Sequence, residues 1–288
     1  MQFWIIQGLN SLAFGGLLFL LASGFSLIFG LMRLANLAHG AFFMLGAYIG
    51  AGAIRSIEGL DLWSAALIAG FSVAAAGGLL ERLVLRRLGT NPLGQVLVTL
   101  GISFIIADAC LMVWGGDPIP VPAPDYLRRP ILFAGIAFPA YRLAVVACAV
   151  VAALCLYLLL ERTRIGAMIR AGVDDMDMAR AIGIPVSKLF TAVFCLGAGI
   201  AGAGGVLGGP ILSAYPGLDA DMLPLALIVV ILGGVGSLLG AFIGSFIIGF
   251  IYTFGTALMP DLAYVILFLP MIVVIAFRPQ GLFGRLRA

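Results

Sequence analysis

The sequence predicts an all-α protein, a polytopic bundle of about eight or nine transmembrane helices. Of its 288 residues, 63% are hydrophobic and 10% are charged, and the mean hydropathy is +1.19. A soluble globule of this size would need far more polar surface. A spanning helix requires about 20 mostly apolar residues, and the chain contains many such stretches, which excludes a single membrane anchor. The long Leu, Ile, Val, Phe and Ala runs also lack the alternation typical of lipid-facing barrel strands.

The first apolar segment, residues 1–31, is expected to remain as a helix. It lacks a positively charged start and is longer than the apolar region of a signal peptide. Apolar runs between charges define nine candidate spans, of which the seventh is short and is closed by the glycine-rich sequence GGVGS (233–237), so that eight full spans is the alternative. The candidate spans are 8–31, 36–54, 62–80, 94–114, 142–160, 190–209, 222–232, 238–258 and 262–277.

Positive charge is distributed unevenly between alternate connections. We take the loop that contains Arg82, Arg86 and Arg87 as cytoplasmic and let nine crossings alternate. Twelve of the sixteen Lys and Arg residues then lie on the cytoplasmic side. Basic loops resist translocation, so the N-terminus is predicted outside and the C-terminus inside. The four residues left on the outer side are Arg55, Arg128, Arg129 and Arg142.

Two segments outside the membrane stand out in what is otherwise a single transmembrane domain over residues 1–288. Residues 115–141 are proline-rich and are predicted to form an ordered external loop with a short surface strand or helix. Residues 161–189 carry the densest charge in the chain and are predicted to be cytoplasmic.

A short helical pattern lies within the cytoplasmic segment. Three aspartates fall where the helix dipole favours negative charge, and Gly183 and Pro185 predict the helix end. A solvated loop and a helix that docks into a partner's groove both remain possible from the pattern alone. The aspartates are Asp174, Asp175 and Asp177, and the residues near one face are Ala171, Met178, Ala179 and Ile182.

Glycine is abundant, with 39 of 288 residues, and recurs at helical spacing. Small residues four apart let helix backbones approach closely in lipid. Static packing accounts for most of them, although a bundle that must rock during transport needs the same close contacts. The strings are Gly40, Gly46 and Gly50, then Gly197, Gly204 and Gly208, then Gly236, Gly240, Gly244 and Gly249.

Few polar residues lie inside the predicted spans, and each is costly unless it faces protein or water. Asp108 is the only carboxylate well inside a span, and it could face a translocation path, bond a neighbouring helix or reach water near the outer end. His39, the only histidine, is interpreted as a hydrogen bond between helices. The set is Asn10, Asn36, His39, Thr99, Ser103, Asp108, Thr191 and Thr253.

Several motifs are absent from the sequence. It has no GxxxxGK[ST] phosphate loop, HExxH or GxSxG, so neither ATP hydrolysis by this chain nor an enzyme activity is expected. Its four cysteines lie in apolar segments without a CxxC pair, and no metal or cofactor site is predicted. Carriers coupled to protons or sodium need more buried ionisable groups than this chain offers.

Three stretches together resemble the permease subunits of branched-chain amino-acid ABC importers, the LivH type within the LivH/LivM group. GLMRLANLAHGAFFMLGAYIG (30–50) is similar to the family's turn, its Asn-x-Ala-His-Gly unit and its small-residue helix. TRIGAMIRAGVDDMDMARAIGIP (163–185) is similar to its cytoplasmic segment. GGVGSLLGAFIGSFIIG (233–249) and FRPQGLFGR (277–285) are similar to its glycine-rich hairpin and its Arg-Pro-x-Gly-Leu-x-Gly tail.

The resemblance implies a multi-pass permease of the bacterial inner membrane that imports branched-chain or other small amino acids. It implies a second, LivM-type permease, two cytoplasmic ATP-binding subunits that use ATP, and an extracytoplasmic solute-binding protein, with no nucleic acid. Other importers of this type handle urea, short amides or aromatic acids, and an autonomous channel or secondary carrier is the alternative from a different class. The implied ATPase-coupling helix contains Arg170, Ala171, Asp174, Asp175, Ala179, Gly183 and Ile184, and the candidate residues for the translocation path or helix packing are Asn36, His39, Gly40, Thr99 and Asp108.

Overall fold

The computed structural model describes residues 2–32, 36–89, 91–133 and 136–284, and they are almost entirely helical. The long helices are α1 (Gln2–Met32), α2 (His39–Ser56), α3 (Leu62–Leu83), α4 (Pro92–Trp114), α6 (Ala140–Arg162), α9 (Val186–Leu212), α10 (Leu218–Gly233), α11 (Leu238–Leu258) and α12 (Ala263–Phe277). The short elements are the helices α5 (Asp125–Arg128), α7 (Arg164–Asp174) and α8 (Met176–Ala181), the 3₁₀ turns 85–88 and 260–262, and the strands β1 (Pro130–Phe133) and β2 (Ile136–Pro139).

Each of the nine predicted spans contains a helix. Six helices within the described ranges are long and apolar enough to cross a membrane on their own: α1, α3, α4, α6, α9 and α11. The other three, α2, α10 and α12, have 18, 16 and 15 residues. At 1.5 Å per residue, α10 and α12 reach only about 24 Å and about 22 Å. The structure therefore combines full spans with helices shorter than the roughly 30 Å of hydrocarbon.

Local sequence signals explain where several helices begin and end. Asn91 caps α4 by accepting a hydrogen bond from the Gly94 amide at 3.1 Å, and Pro92 follows at the first helical position. Gly115 ends the same helix with a φ of 84°, which favours glycine. Ser237 caps α11 through the Gly240 amide at 3.0 Å. The bounds of these helices therefore follow from single residues rather than from tertiary packing.

The centre of the bundle is built by α1, α2 and α9, with α3, α10 and α11 around them. Glycines allow the close approach: a methyl group on Gly46 would overlap the backbone of Gly202, and one on Gly24 would overlap Gly197. By contrast, only 17% of the residues in the most apolar stretch of α4 are buried, and the share in α6 is the same. Their outer faces expose Phe104, Ile105, Met112 and Leu154, as expected for surfaces that contact lipid.

The two ends of the bundle are distinct. At one end Gly30 lies against Gly236, and the amides of Leu282 and Phe283 donate to Leu232 and Gly233 carbonyls at 2.9 and 3.0 Å. The dense charge of residues 161–189 belongs to this end, because Leu27 near the end of α1 packs with Ile169 and Leu189.

At the opposite end lies the proline-rich segment. It contains α5 and an antiparallel hairpin in which Ile131 pairs with Phe138. A bridge between Ile119 and Ala214 joins this segment to the residues after α9. The proline-rich loop and the charged segment 161–189 therefore cover opposite ends of the helices.

Candidate functional site

The connection at residues 36–38, directly before α2, lies inside the bundle, where Asn36 and Ala38 are buried. Asn36 has no exposed surface, and its side-chain oxygen accepts from the Ala38 amide at 3.2 Å. The Leu37 amide donates to the Thr99 hydroxyl at 3.2 Å, so a side chain of α4 satisfies the backbone of this connection. The hydroxyl in turn donates to the Gln95 carbonyl at 2.9 Å. Asn36 and Thr99 therefore position the first residue of α2.

His39 is the first residue of α2 and is fully buried. Its Nε2–H donates to the Leu21 carbonyl at 3.0 Å and so joins α2 to α1. Within the described part of the chain, Nδ1 of this ring and Nδ2 of Asn36 are buried without a hydrogen-bond partner. Leu21 precedes the end of α1 by 11 residues, or about 16 Å along the axis. The helix α2 therefore starts deep inside the bundle.

The helix α10 begins at the same place. Gly217 precedes it with a φ of 96°, and a methyl group on Gly40 would lie 2.7 Å from the Asp219 carbonyl. The Ser103 hydroxyl of α4 donates to the Asp219 carboxylate at 3.3 Å. Two helix N-termini, with their free N–H groups and positive dipole ends, therefore meet beside one carboxylate.

We call the residues Asn36, His39, Gly40, Thr99, Ser103 and Asp219 the interior polar cluster. Its two hydroxyls already donate, Thr99 to the Gln95 carbonyl and Ser103 to the Asp219 carboxylate. The Asn36 Nδ2 donor, the two helix N-termini and the Asp219 carboxylate are the groups that could bind a zwitterion. Broken helices that meet within a membrane protein are suited to this use, because their ends present free backbone groups to a solute. The first five of these residues are buried, and Asp219 is partly exposed.

Asp108 does not belong to this cluster. The face of α4 that packs inward carries Thr99, Ser103 and Cys110, whereas Asp108 is exposed on the opposite face. A carboxylate on the lipid side of a spanning helix is costly. Water or another protein chain is therefore needed at this position.

The predicted coupling segment forms α7 and α8, and several of its predicted residues hold the segment together. Gly166 fits α7 against the end of α6, because a methyl group there would overlap the carbonyls of Leu159 and Leu160. The Arg170 guanidinium donates to the Leu160 carbonyl and lies 3.5 Å from the Glu161 carboxylate. Arg170 thus binds the C-terminal end of α6, where the helix dipole favours a cation.

Other predicted residues shape α8. Asp175 caps it by accepting from the amides of Asp177 and Met178 at 3.0 and 2.9 Å, and Ala179 is buried. Gly183 has a φ of 87° and ends the segment, and Ile184 packs in the small core with Ile169 and Leu189. Ala171 is half-buried, and its carbonyl accepts a hydrogen bond from the Asp175 amide at 3.1 Å. Asp174 is the last residue of α7, and its side chain lies outside the described part.

Among the large apolar residues of this segment, Ile165 of α7 is 50% exposed, and the two most exposed are Met178, with 59% of its surface exposed, and Ile182, with 68%. They lie one helical turn apart, and the exposed Arg180 lies between them in the sequence. Apolar side chains presented on a short helix that is anchored from behind can enter a groove of a partner protein. The sequence analysis placed Met178 and Ile182 on the same face as the buried Ala179, and the structure separates them.

A polar clamp that the sequence analysis missed joins this end of α9 to α3. Glu81 is buried at the end of α3 and accepts from the Thr191 hydroxyl at 2.6 Å and from Arg86 Nη2 at 3.2 Å. The Arg86 guanidinium also donates to the Ser187 carbonyl at 3.1 Å. The only sequence signal was a Glu directly after a predicted span with an Arg five residues later. The clamp fixes the start of α9, which directly follows α7 and α8.

The described residues contain no group of three or more His, Cys, Asp or Glu side chains that could hold a metal ion. The six helices long and apolar enough to span a membrane, together with the exposed apolar side chains of α4 and α6, describe a multi-pass membrane protein.

Comparisons with known proteins agree with this description. Residues 8–275 match the family described as the permease component of the branched-chain amino acid transport system. The high-affinity branched-chain amino acid transport system permease protein BraD of Pseudomonas aeruginosa is 28% identical over 98% of this chain and 96% of its own length. LivH of Escherichia coli K12, with the same description, is 26% identical over the same shares. A probable branched-chain amino acid transport permease protein LivH of Methanocaldococcus jannaschii is 27% identical over 85% of this chain and 78% of its own length. No solved structure matches the chain. The chain belongs to the permease family of branched-chain amino acid transport systems.

Proposed function

We propose that this chain is a permease subunit of an ATP-driven importer that carries branched-chain or other small amino acids into the cytoplasm. The observation that supports this most directly is the anchored pair of exposed apolar residues, Met178 and Ile182, on a segment that the family match covers. Two separate ATP-binding subunits would supply the energy, a second LivM-type permease would complete the channel, and an extracytoplasmic binding protein would deliver the solute.

The orientation in this proposal places α7 and α8 in the cytoplasm. The end of the bundle that carries them also carries Arg82, Arg86 and Arg87, in agreement with the preference of basic loops for the cytoplasm. The proline-rich hairpin would then face the binding protein, with the N-terminus outside the inner membrane and the C-terminus inside.

The interior polar cluster supports an amino acid as the solute. The N-termini of α2 and α10 suit a carboxylate, and the partly exposed Asp219 suits an ammonium group. Urea or a short amide would leave the carboxylate of Asp219 without an opposite charge. The apolar side chains around the cluster, which include Phe25 and Leu223, suit a branched aliphatic group.

The docking part of the proposal is tested by purifying the assembled complex from cells that express the chain with its neighbouring genes. Met178→Glu with Ile182→Glu is expected to remove the ATP-binding subunits, because two charges would enter an apolar groove. The matched control is Ile131→Glu, an exposed residue of the hairpin at the opposite end, which should retain them. The proposal fails if the double variant keeps its ATP-binding subunits, or if the wild-type complex lacks them and the chain still transports solute.

A further inference from the structure

We propose that the seam between α2 and α4 (residues 37–52 and 99–114) is the outer half of the amino-acid path, and that the Tyr48 hydroxyl binds the solute there. This inference rests on the proposed import of amino acids and on its orientation, and it adds a binding residue. Among the described residues, Tyr48 is fully buried and its hydroxyl has no hydrogen-bond partner. A buried hydroxyl without a partner is unfavourable, so a ligand that bonds it would be stabilised.

The two helices of the seam run parallel and keep one register. The Leu37 amide, just before α2, donates to the Thr99 hydroxyl of α4 at 3.2 Å. Toward the other end of α2, a methyl group on Gly52 would lie 2.8 Å from the indole nitrogen of Trp114, the last residue of α4. The residues of both pairs are 62 positions apart in the sequence. The same offset therefore holds along the whole seam.

This register places Tyr48 of α2 at the level of Cys110 of α4. The two side chains interact electrostatically, and Cys110 interacts in the same way with the Asp219 carboxylate. Thr99 and Ser103 lie 11 and seven residues before Cys110 on the buried face of α4, or about 16 Å and about 10 Å along its axis. The interior polar cluster and the Tyr48 hydroxyl therefore belong to one line of polar groups along the seam.

Trp114 covers the end of the seam next to the proline-rich loop. Its ring lies against the Tyr48 ring, with centroids 5.4 Å apart and an interplanar angle of 33°. Tyr48 is 0% exposed and Cys110 is 1% exposed, so the seam is closed to water in this structure. The proposal therefore predicts a second state, open to the outside, in which Tyr48 and Cys110 meet water and solute.

The chemistry of the seam suits a small zwitterion. A tyrosine hydroxyl both donates and accepts hydrogen bonds, so it can donate to the carboxylate of an amino acid or accept from its ammonium group. One helical turn closer to the cluster, α2 carries Met44 and α4 carries Ile106. These apolar side chains suit the aliphatic group of a branched-chain amino acid. A trapped water molecule that bonds the Tyr48 hydroxyl is the competing occupant.

The initial rate of ATP-dependent leucine uptake by the assembled complex tests the role of the hydroxyl, with saturating amounts of loaded binding protein. Tyr48→Phe keeps the ring against Trp114 and removes only an unpaired group. Its Tm should therefore not fall, whereas the uptake rate should fall about tenfold because a hydrogen bond to a charged solute group is lost.

The matched control is Tyr141→Phe, because the buried Tyr141 hydroxyl donates to the Leu207 carbonyl. This variant should lower Tm and leave the uptake rate unchanged, which is the opposite result. A wild-type uptake rate in Tyr48→Phe would overturn the proposal, because it would show that the hydroxyl meets water only.

Access to Cys110 tests the opening of the seam. A charged, membrane-impermeant methanethiosulfonate reagent is added outside vesicles that contain the wild-type complex, and peptide mass spectrometry measures the modification of each cysteine. Cys110 should be modified at least about tenfold faster with ATP inside than without it. Cys155, which is exposed on α6, is the control and should stay unmodified, because a thiol that faces lipid does not meet a charged reagent.

Two failures can be told apart. If Cys110 stays unmodified while the complex accumulates leucine, the seam is not the path, and the proposed function still stands. If the wild-type complex shows no ATP-dependent accumulation of leucine, the proposed function fails, and this inference fails with it.

Discussion

The clamp around Glu81 predicts a measurable loss of stability when its charge is removed. In Glu81→Gln the side chain keeps its size, but the Thr191 and Arg86 hydrogen bonds lose their charged acceptor. Glu81 is 3% exposed, whereas Arg86 is 43% exposed and can regain water. We therefore count mainly the buried Thr191 bond, and expect a cost of about 2 kcal/mol. For a chain of this length that lowers Tm by about 5 °C.

The assay is thermal unfolding of the purified complex in detergent, followed by ATP-dependent uptake in vesicles. Uptake should fall more than the binding of the ATP-binding subunits, because the clamp fixes the start of α9 rather than the docking face. Asp125→Asn is the matched control, since its ion pair with Arg128 is exposed, with Asp125 at 91%, and should change Tm little. If Glu81→Gln unfolds at the wild-type temperature and transports at the wild-type rate, the clamp does not stabilise this end of the bundle.

Three further changes have defined outcomes. Gly46→Val should lower the free energy of unfolding by more than about 3 kcal/mol and prevent assembly, because its side chain would overlap backbone atoms. The control Gly101→Val should assemble normally, since nothing lies within 4 Å of that position. Size-exclusion profiles in detergent check both variants. Asp175→Ala should remove the cap of α8, at about 1 kcal/mol, and speed hydrogen exchange of the amides at 176–181 without altering the helices of the bundle. Asp219→Asn should raise the KM for amino-acid uptake about tenfold and lower Tm less than Glu81→Gln does, since Asp219 is partly exposed; an unchanged KM would remove the carboxylate from the translocation path.

The helices were predictable because the apolar runs are long and the local signals are explicit. The Asn91 and Pro92 pair marks the start of α4, and Gly115 marks its end. The helix stop at Gly183, two residues after the end of α8, was also predicted, since only glycine readily adopts that backbone angle. Composition and single-residue signals depend only on the local sequence, so they predict helix bounds without knowledge of the packing.

What the sequence could not show depends on contacts between distant segments. Thr191 and Glu81 are separated by 110 residues, and neither has a sequence neighbour that reveals the other. The start of α2 inside the bundle rests on the bond from His39 to Leu21. Asp219 precedes the predicted seventh span, 222–232, although it lies in the first turn of α10 beside Gly40. Uniformly apolar helices give no periodic signal that would orient their faces.

For the same reason, the sequence could not separate the roles of the predicted coupling residues. Family resemblance marked Arg170, Asp175 and Ala179 without distinguishing residues that hold the segment together from residues that face a partner. The structure uses Arg170 to bind the end of α6 and Asp175 to cap α8. Met178 and Ile182 remain exposed. Charge reversal at Arg170 would therefore disturb folding as well as docking, and is a weaker test than the exposed pair.

In the proposed importer, ATP hydrolysed by another chain drives solute through this one by way of α7 and α8. The most direct test is leucine accumulation in vesicles that contain the assembled complex, with the binding protein outside and ATP inside. We expect leucine accumulation that requires ATP and is lost in Met178→Glu with Ile182→Glu. Leucine uptake by this chain alone, at the same rate with and without ATP, would contradict it.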